Sequence, residues 1–471
     1  MQAGLQTGRI HDMAHLETLF RMNATCACRP NEPQSAADFA FPFACFASSC
    51  ADEDRLQSSL RIRRAMLLLF SNPVPRECLR LWLLCSREWT DALRWLDISG
   101  LALYFLARVQ EKNLDAMLPP PVRRRLCQNL ADNTRRTASM LAESIDIQRD
   151  FQRSGLHYAV LKGFSLWPHS VPRPELRSQL DLDFLIAERD APEARQMLEG
   201  RGYRLHAVSG RSWEFKTEAH PSSLAQLYCP SPNRALELHL ESPNSPSAVL
   251  GRVEHLRLHG LSVPVLPAVD LFLGQGLHLY KHVCSEFYRP AHMLEFRRHV
   301  LARRDDDVFW DQVRERGERN LRTSLALGVV TLLIERTMGS FAPDAFCCWT
   351  VDRLPRNLRA WVERYGMRSA VMNFPGNKLY LLLQREMESL GIGSRRSIGQ
   401  ALVPRSLPPA ITQAAAHETL GARVRRHLFQ ISFVLRRLRF HVTAGVGYLL
   451  EARAWKQFVA AEANSPRMTK Q

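Results

Sequence analysis

The sequence lacks several features that would place it in a class at once. It contains no run of about 18 apolar residues, so we expect no transmembrane helix. The segment 1–19 carries charged side chains and lacks the apolar stretch of a secretory signal, which makes the cytoplasm the expected location. No internal repeat of fixed period is present, which argues against a repeat architecture.

Cysteine is present, but without the spacing of a metal site or a disulfide framework. The 11 cysteines are an odd number, and most stand singly on predicted apolar faces, which fits a reducing compartment. Examples are Cys85, Cys127 and Cys284. A denser group near the N terminus comprises Cys26, Cys28, Cys45 and Cys50. It has neither a paired C-x-x-C spacing nor an intervening histidine, so we favour an extension that contains cysteine over a metal site.

What is present indicates a globular protein of more than one domain. A chain of 471 residues with 46% apolar residues is long enough for two or three domains with sizeable cores. The formal net charge is +16, and it is unevenly placed. Residues 391–471 hold 13 Lys/Arg and 3 Asp/Glu, so most of the excess lies in the C-terminal region.

Composition and periodicity divide the chain into five predicted regions. They are a weakly structured extension (1–59), an N-terminal helical region (60–155), an α/β core (156–265), a helical region (266–390), and a linker with a basic helical tail (391–471). In the core we predict strands at Tyr158–Leu161, Leu180–Ile186, Leu224–Tyr228 and Ala235–Leu240. Few helices separate these strands, which favours a small mixed sheet of the α+β class, flanked by helical regions, over a doubly wound sheet.

Two carboxylates lie two residues apart in the second predicted strand. Because side chains alternate along a strand, Asp181 and Asp183 point to one face, whereas Leu182 points to the core. Two adjacent like charges on a half-buried strand are costly unless a cation lies between them. A divalent metal such as Mg²⁺ is the usual solution, because it joins carboxylates to substrate phosphates.

Five landmarks in a fixed order resemble those of the uncharacterised nucleotidyltransferases, a family of the DNA polymerase-beta-like superfamily. They are Leu161-Lys162-Gly163, Arg177, Asp181-Leu182-Asp183, Gly202-Tyr203 and Glu237-Leu238-His239. The resemblance extends from about Leu67 to Pro343. It implies a nucleotidyltransferase core and Mg²⁺-dependent transfer of a nucleotidyl group from an NTP, with ATP expected first, to an unidentified hydroxyl acceptor.

The resemblance also implies residue roles. Gly163 and Ser165 would cradle NTP phosphates, and Lys162 would add a cationic contact. Taken alone, Gly163 could equally be a turn that leads from a strand into a helix. Arg177 would contact the nucleotide, or it would pair with an aspartate.

The metal site is predicted to contain Asp181, Asp183 and a third carboxylate, Glu237, from another strand. Glu237 would hold the metal or act as general base on the incoming hydroxyl; the alternative is a solvated residue that faces outward. His239 shares its strand face and could bind a phosphate or orient Glu237, although a structural role is the more common one for such a histidine.

Two further segments allow several interpretations. His278 and His282 share a helix face and could suggest a metal pair, but helix packing or substrate contact is preferred, and the role of the downstream Glu295 stays open. The basic stretch Val424–Phe440 could pack on the domain, lie on a membrane surface or contact nucleic acid. Packing on the domain is favoured.

The sequence therefore predicts an enzyme that holds three carboxylates, Mg²⁺ and an NTP. A non-catalytic nucleotide-binding or antitoxin-like regulatory protein on the same fold is the alternative. A nucleic-acid-binding protein driven by charge is a third interpretation, and it requires salt-sensitive binding through the C-terminal arginines.

Overall fold

The computed structural model describes residues 50–217, 227–230, 234–242, 248–258, 260–286, 288–372, 376–393, 397–403 and 419–464. The chain divides into the units Met1–Glu53 and Asp54–Gln471, and the structure below is that of the second. Cys26, Cys28 and Cys45, with most of the predicted extension, lie outside the described residues. Within them no helix has the length and apolar character needed to cross a membrane.

The helices fall before, within and after a β-sheet. Those before it are α1 (Cys50–Leu68), α2 (Ser86–Ser99), α3 (Ala102–Glu111) and α4 (Pro120–Arg153), and α5 (Ala191–Gly200) lies between strands. Those after it are α6 (Ala268–Val283), α7 (Ala291–Ala302), α8 (Asp307–Glu318), α9 (Leu321–Met338), α10 (Asp344–Cys347), α11 (Arg356–Trp361), α12 (Met367–Val371), α13 (Tyr380–Ser389), α14 (Ile398–Leu402) and α15 (Leu420–Asn464). A π-helical turn, Val362–Gly366, joins α11 to α12. Short 3₁₀ segments occupy Arg76–Leu83, Asp115–Met117, Gly163–Leu166, Pro174–Leu176, Glu188–Asp190 and Leu250–Arg252.

The sheet has seven described strands in the order β3-β4-β5-β2-β1-β7-β6. They are β1 (Tyr158–Leu161), β2 (Leu182–Ala187), β3 (Arg204–Ser209), β4 (Ser212–Lys216), β5 (Ala235–Glu241), β6 (Glu254–Leu258) and β7 (Leu261–Val265). The pairs β2–β5 and β1–β7 are parallel, whereas the others are antiparallel. A mixed sheet, with helical regions before and after it in the chain, confirms the predicted α+β class.

Two apolar cores are joined by α4. Its first half contributes Val122 and Leu126 to a helical core, which includes α2, α3 and α6 to α13. Its second half contributes Ile147 and Phe151 to the sheet core, where Phe151 contacts Phe184 of β2. Helix α4 begins with Pro120, which suits a first helical turn because proline has no N–H to satisfy there. One face of the sheet is thereby covered, and the polar side chains of β2 and β5 are left on the other.

The structure differs from the prediction at one strand, at two hairpins and in the linker. The described part of the predicted strand Leu224–Tyr228 is a bend, because Leu227 and Tyr228 pack on the helical core and the Tyr228 hydroxyl donates to Asp97 at 2.9 Å. The hairpins β3–β4 and β6–β7 were not predicted. The predicted linker contains α14, whose Leu402 carbonyl accepts a hydrogen bond from Lys378 at 3.1 Å.

Smaller differences concern the N-terminal boundary and the thiols. Helix α1 begins at Cys50, inside the predicted extension. The cysteines whose side chains are described are free thiols. Cys85 and Cys127 are exposed, contrary to the predicted apolar faces, whereas Cys284 is half-buried.

The basic stretch is part of the long helix α15, which packs on the molecule through one side. Trp455 is 2% exposed, and its indole N–H donates to Glu386 at 2.8 Å. Arg437 pairs with Glu286 at 3.0 Å. The apolar residues that we expected to cover the domain are largely outward: Leu428, Ile431, Leu435 and Leu438 are each about half exposed or more. The expected packing therefore holds for one face of α15 only.

Candidate active site

The register of β2 and β5 brings two predicted carboxylates together. Leu182, Phe184 and Ile186 are buried in the sheet core, and Asp183 therefore projects from the opposite face of β2. In the parallel pair, Asp183 is the direct partner of Glu237. Since partners in register share a face, both carboxylates and His239 lie on the same side of the sheet.

Asp183 is held by two cationic partners. Its side chain is only 5% exposed, and its Oδ1 accepts a hydrogen bond from the Lys162 ammonium at 2.9 Å. The Nε2 of His239 lies 3.2 Å from the same oxygen. Burial alone would raise the pKa of Asp183, but the hydrogen bonds from His239 and Lys162 lower it below its ordinary value. Asp183 is therefore an ionised, buried carboxylate.

Glu237 shares His239 with Asp183. The His239 Nε2 lies 3.4 Å from Glu237 Oε2, and the Ser212 hydroxyl of β4 donates to the other carboxylate oxygen. The hydrogen bond to His239, with that from Ser212, lowers the pKa of Glu237 to about 2 despite partial burial. Burial opposes protonation of His239, yet its bonds to Asp183 and Glu237 raise its pKa to about 9. One ligand atom from each of these three residues lies within 4.8 Å of the other two.

Asp181 differs from the other two carboxylates because no side chain of the described residues donates a hydrogen bond to it. It directly precedes β2, is half-buried, and its carboxylate accepts no hydrogen bond from any residue in the described part of the chain. Burial, and then the negative charge of Asp183, raise the pKa of Asp181 to about 6. Asp181 and Glu237 line one cavity of about 210 Å³, together with Ser212. The charges of Arg177 and Lys162 oppose this rise in the pKa without outweighing it, and the carboxylate faces a space that could hold a further cation.

The Lys-Gly turn after β1 positions the Lys162 ammonium. Lys162 and Gly163 both have positive φ, of 49° and 44°. A Cβ on Gly163 would lie 2.3 Å from the Gln179 amide nitrogen, which itself donates to the Asp181 carbonyl at 2.7 Å. The Ser165 hydroxyl donates to the Lys162 carbonyl at 2.9 Å. Gly163 and Ser165 are buried in this turn, so in the structure they shape the turn.

Arg177 pairs with a glutamate of α7, not with an aspartate of β2. Its Nε lies 3.1 Å from Glu295 Oε1, and the Tyr104 hydroxyl donates to the same oxygen at 3.1 Å. The structure thereby gives Glu295 the function of neutralising Arg177 in the protein interior. Arg177 still lines a second cavity of about 220 Å³, on the helical side of the carboxylates, with Lys162, His278 and His292.

The carboxylates are of the kind that suits Mg²⁺, although the group with ligand atoms within 4.8 Å of one another is Asp183, Glu237 and His239, and Asp181 lies outside it. Asp181, Asp183 and Glu237 offer carboxylate oxygens, which are the ligands that this hard cation prefers. One observation at Asp181 supports a bound cation. Its carboxylate is partly buried, and it accepts no hydrogen bond from the described residues. A cation bound there would remove the cost of burying this charge.

Sequence reasoning missed the residues that connect these groups. Ser212 belongs to an unpredicted hairpin, and its only sequence signal was the glycine at position 210, which has a φ of 61° in the turn. For His239 the sequence left open phosphate binding, orientation of Glu237 and a structural role, and the structure places it in contact with both central carboxylates. Its position two residues after Glu237 on an alternating strand was a usable signal.

Comparison with known proteins gives a family match and a resemblance to a solved structure. The family described as uncharacterised nucleotidyltransferase matches residues 86–339, more than half of the chain, including all seven strands. Among solved structures, the crystal structure of an antigenic nucleotidyltransferase-like protein from Paracoccidioides brasiliensis is similar at 14% identity and a TM-score of 0.26. That similarity covers 41% of this chain and 92% of the other. No curated protein sequence matches the chain.

Proposed function

The chain belongs to the uncharacterised nucleotidyltransferase family, and from this premise we propose that it is a Mg²⁺-dependent enzyme. It would transfer a nucleotidyl group from an NTP, with ATP expected first, to a hydroxyl acceptor. The observation that carries the proposal is the in-register pair Asp183 and Glu237, beside Asp181, whose carboxylate accepts no hydrogen bond from the described residues. Family membership supports nucleotidyl transfer in general, and the carboxylates support the metal.

Each residue has a proposed task that follows from its surroundings. Asp181, Asp183 and Glu237 would hold Mg²⁺, which supplies neutralisation of phosphate charge and polarisation of the reacting phosphorus when bound. Lys162 lies beside Asp183 and lines the helical-side cavity, so its ammonium would contact phosphate oxygens there. Gly163 and Ser165 would hold the turn that carries Lys162, and Arg177 would add a second cation to the cavity wall.

The transfer step requires one bond to form and one to break. The acceptor oxygen forms a bond to the α-phosphorus, and the bond from that phosphorus to the bridging oxygen breaks, so pyrophosphate leaves with the electron pair. Glu237 is ionised at neutral pH and would accept the hydrogen bond of the acceptor hydroxyl, whose proton then passes through this carboxylate to solvent. His239, whose protonated form is stabilised by its two ionised carboxylate partners, would keep Glu237 oriented.

The test is transfer of label from each of the four labelled NTPs in the presence of Mg²⁺ and cell extract. Asp183→Asn and Glu237→Gln should lower transfer at least 100-fold, because each removes a proposed metal ligand, and the labelled product identifies the acceptor. Glu254→Gln is the matched control, since Glu254 is an exposed carboxylate of the edge strand β6. Equal transfer in all three variants would refute the proposed site.

A non-catalytic nucleotide-binding or antitoxin-like regulatory protein is the second candidate. It is favoured by one observation: Asp183 is already neutralised by Lys162 and His239 without a metal. Calorimetric titration with Mg²⁺ and ATP separates the two functions. Binding that depends on Asp181 without any transfer of label would support the regulatory function, whereas binding followed by transfer supports the enzyme.

A further inference from the structure

Three histidines meet where α6 and α7 approach each other. His278 and His282 are four residues apart on α6 and therefore share a face, and His292 lies in the first turn of α7. The ring centroids are 4.5 Å apart for His278–His282, 5.2 Å for His278–His292 and 4.8 Å for His282–His292. One nitrogen of each ring lies within 4.8 Å of the other two.

The nitrogen spacing suits ligands of one metal ion. The Nε2 atoms of His278 and His282 are 3.1 Å apart. Two imidazole nitrogens bound to one tetrahedral Zn²⁺ at bond lengths of ~2.0–2.1 Å are roughly 3.3 Å apart. A single N–H···N hydrogen bond would explain this pair of rings but would not explain why a third ring is placed against both.

The third ring carries an unsatisfied atom. The Nδ1 of His292 is buried and has no hydrogen-bond partner among the described residues. A buried polar atom without a partner costs free energy, so such atoms are uncommon in folded proteins. Coordination of a metal ion by this nitrogen would remove the cost.

We propose that His278, His282 and His292 form a binding site for a divalent transition metal ion, Zn²⁺ foremost. Imidazole is a ligand for Zn²⁺, Ni²⁺ and Cu²⁺, whereas Mg²⁺ requires oxygen, so this site and the carboxylate site select different ions. Three ligands leave one position open in a tetrahedral site. His278 and His292 line the same cavity as Lys162 and Arg177, so water or an anionic oxygen of a substrate could reach that position.

The test uses the untagged full-length chain and Zn²⁺ itself. Metal analysis after equilibration with Zn²⁺ and gel filtration should give one Zn²⁺ per chain, and Co²⁺ should give the visible absorption of a tetrahedral site. His282→Gln and His292→Asn should each weaken Zn²⁺ binding at least tenfold. His255→Asn is the matched control, because His255 is an exposed histidine of the edge strand β6.

Two results would overturn the inference. The first is no stoichiometric Zn²⁺ in the wild-type chain, which would mean a histidine hydrogen-bond cluster only. The second is unchanged Zn²⁺ binding in His282→Gln or His292→Asn when circular dichroism shows that the variant is folded. Asp183→Asn should lose nucleotidyl transfer and retain Zn²⁺ in full. Unchanged transfer in this variant would refute the proposed function alone, whereas a wild-type chain that transfers the nucleotidyl group without stoichiometric Zn²⁺ would refute this site alone.

Discussion

Lys162 combines a strained backbone with a buried charge contact. Its φ of 49° and ψ of −153° are a conformation that glycine adopts readily and side-chain-bearing residues do not. Lys162→Gly and Lys162→Ala both remove the ammonium from Asp183, so comparing them isolates the backbone. We expect the glycine variant to be more stable by about 1–2 kcal/mol in urea denaturation. Equal unfolding free energies would show that the turn relaxes in the variants.

Asp181 and Asp183 should respond in opposite ways to loss of charge in metal-free protein. Asp181→Asn removes a buried charge whose pKa is raised to about 6, so it should stabilise the fold by on the order of 2 kcal/mol at pH 7.5. Asp183→Asn deprives Lys162 and His239 of their shared carboxylate and should destabilise the fold. Thermal melts in EDTA measure both. A shift of the same sign in the two variants would contradict the different environments described above.

His299, which lies outside the carboxylate site, makes the free energy of unfolding depend on pH. Its Nδ1 lies 3.0 Å from Gln275 Oε1 and 3.2 Å from the Ser170 hydroxyl. Burial, with the nearby His169 and Arg303, lowers its pKa to about 3, against an ordinary 6.5. Between pH 3 and 6.5 the unfolded chain binds a proton at His299 that the folded chain does not bind. The contribution of His299 to the free energy of unfolding is therefore complete above pH 6.5 and is lost as the pH falls towards 3.

The His299→Asn variant tests this dependence. Its unfolding free energy should fall less steeply than that of the wild type between pH 6.5 and 4, by up to about 1.4 kcal/mol per pH unit. The absolute stability of the variant is not the readout, because the substitution also changes packing. His255→Asn, at an exposed position, should keep the wild-type slope. Parallel profiles for all three proteins would contradict the neutral state of His299.

At the level of elements, the central strands β1, β2 and β5 were predictable, whereas the outer hairpins β3–β4 and β6–β7 were not. Leu182, Phe184, Leu236 and Leu238 are all buried, so the alternation in β2 and β5 is visible in the sequence. Nearly all of β3 is exposed, so it shows no apolar alternation. The turns at Gly210 and Gly260, with φ of 61° and 79°, were the remaining signals for the two missed hairpins.

The candidate site likewise has some features that the sequence predicts and others that it does not. The side-chain period of a strand predicts that Asp181 and Asp183 share a face, but β2 begins at Leu182, so the period applies to Asp183 and not to Asp181. The contacts Arg177–Glu295 and Ser212–Glu237 join elements that are distant or unpredicted, and periodicity carries no information about them. His292 is a further example, since its proximity to His278 depends on the angle between α6 and α7.

Helix α15 offers a matched pair of substitutions. Trp455 is buried against Tyr365 and donates to Glu386, so Trp455→Ala should cost about 3–5 kcal/mol. Leu435 lies on the outward side of the same helix and is 49% exposed, so Leu435→Gln should change stability by less than about 0.5 kcal/mol. Urea denaturation measures both, and a comparable loss in the two variants would mean that the outward face is covered in solution.

For the whole molecule, the site and the C-terminal helix are separate parts of the chain. All proposed ligands lie between Lys162 and His292, upstream of α15. Truncation before 419 should lower the melting temperature, because it removes Trp455 and the Arg437–Glu286 pair. It should leave Mg²⁺-ATP binding within about threefold of wild type, measured by calorimetry. Loss of nucleotide binding in a folded truncated protein would place α15 in the site.

The β2–β5 register has an evolutionary consequence. Asp183 and Glu237 occupy the positions next to Phe184 and Leu238, which are both fully buried in the sheet core. A one-residue insertion or deletion in either strand would exchange the two faces, and it would bury the carboxylates while exposing the apolar side chains. Selection for a foldable core therefore also preserves the positions of the acidic residues. Descendants of this sequence could lose the proposed nucleotidyl transfer by point substitution, but not by a shift in either strand that leaves the fold intact.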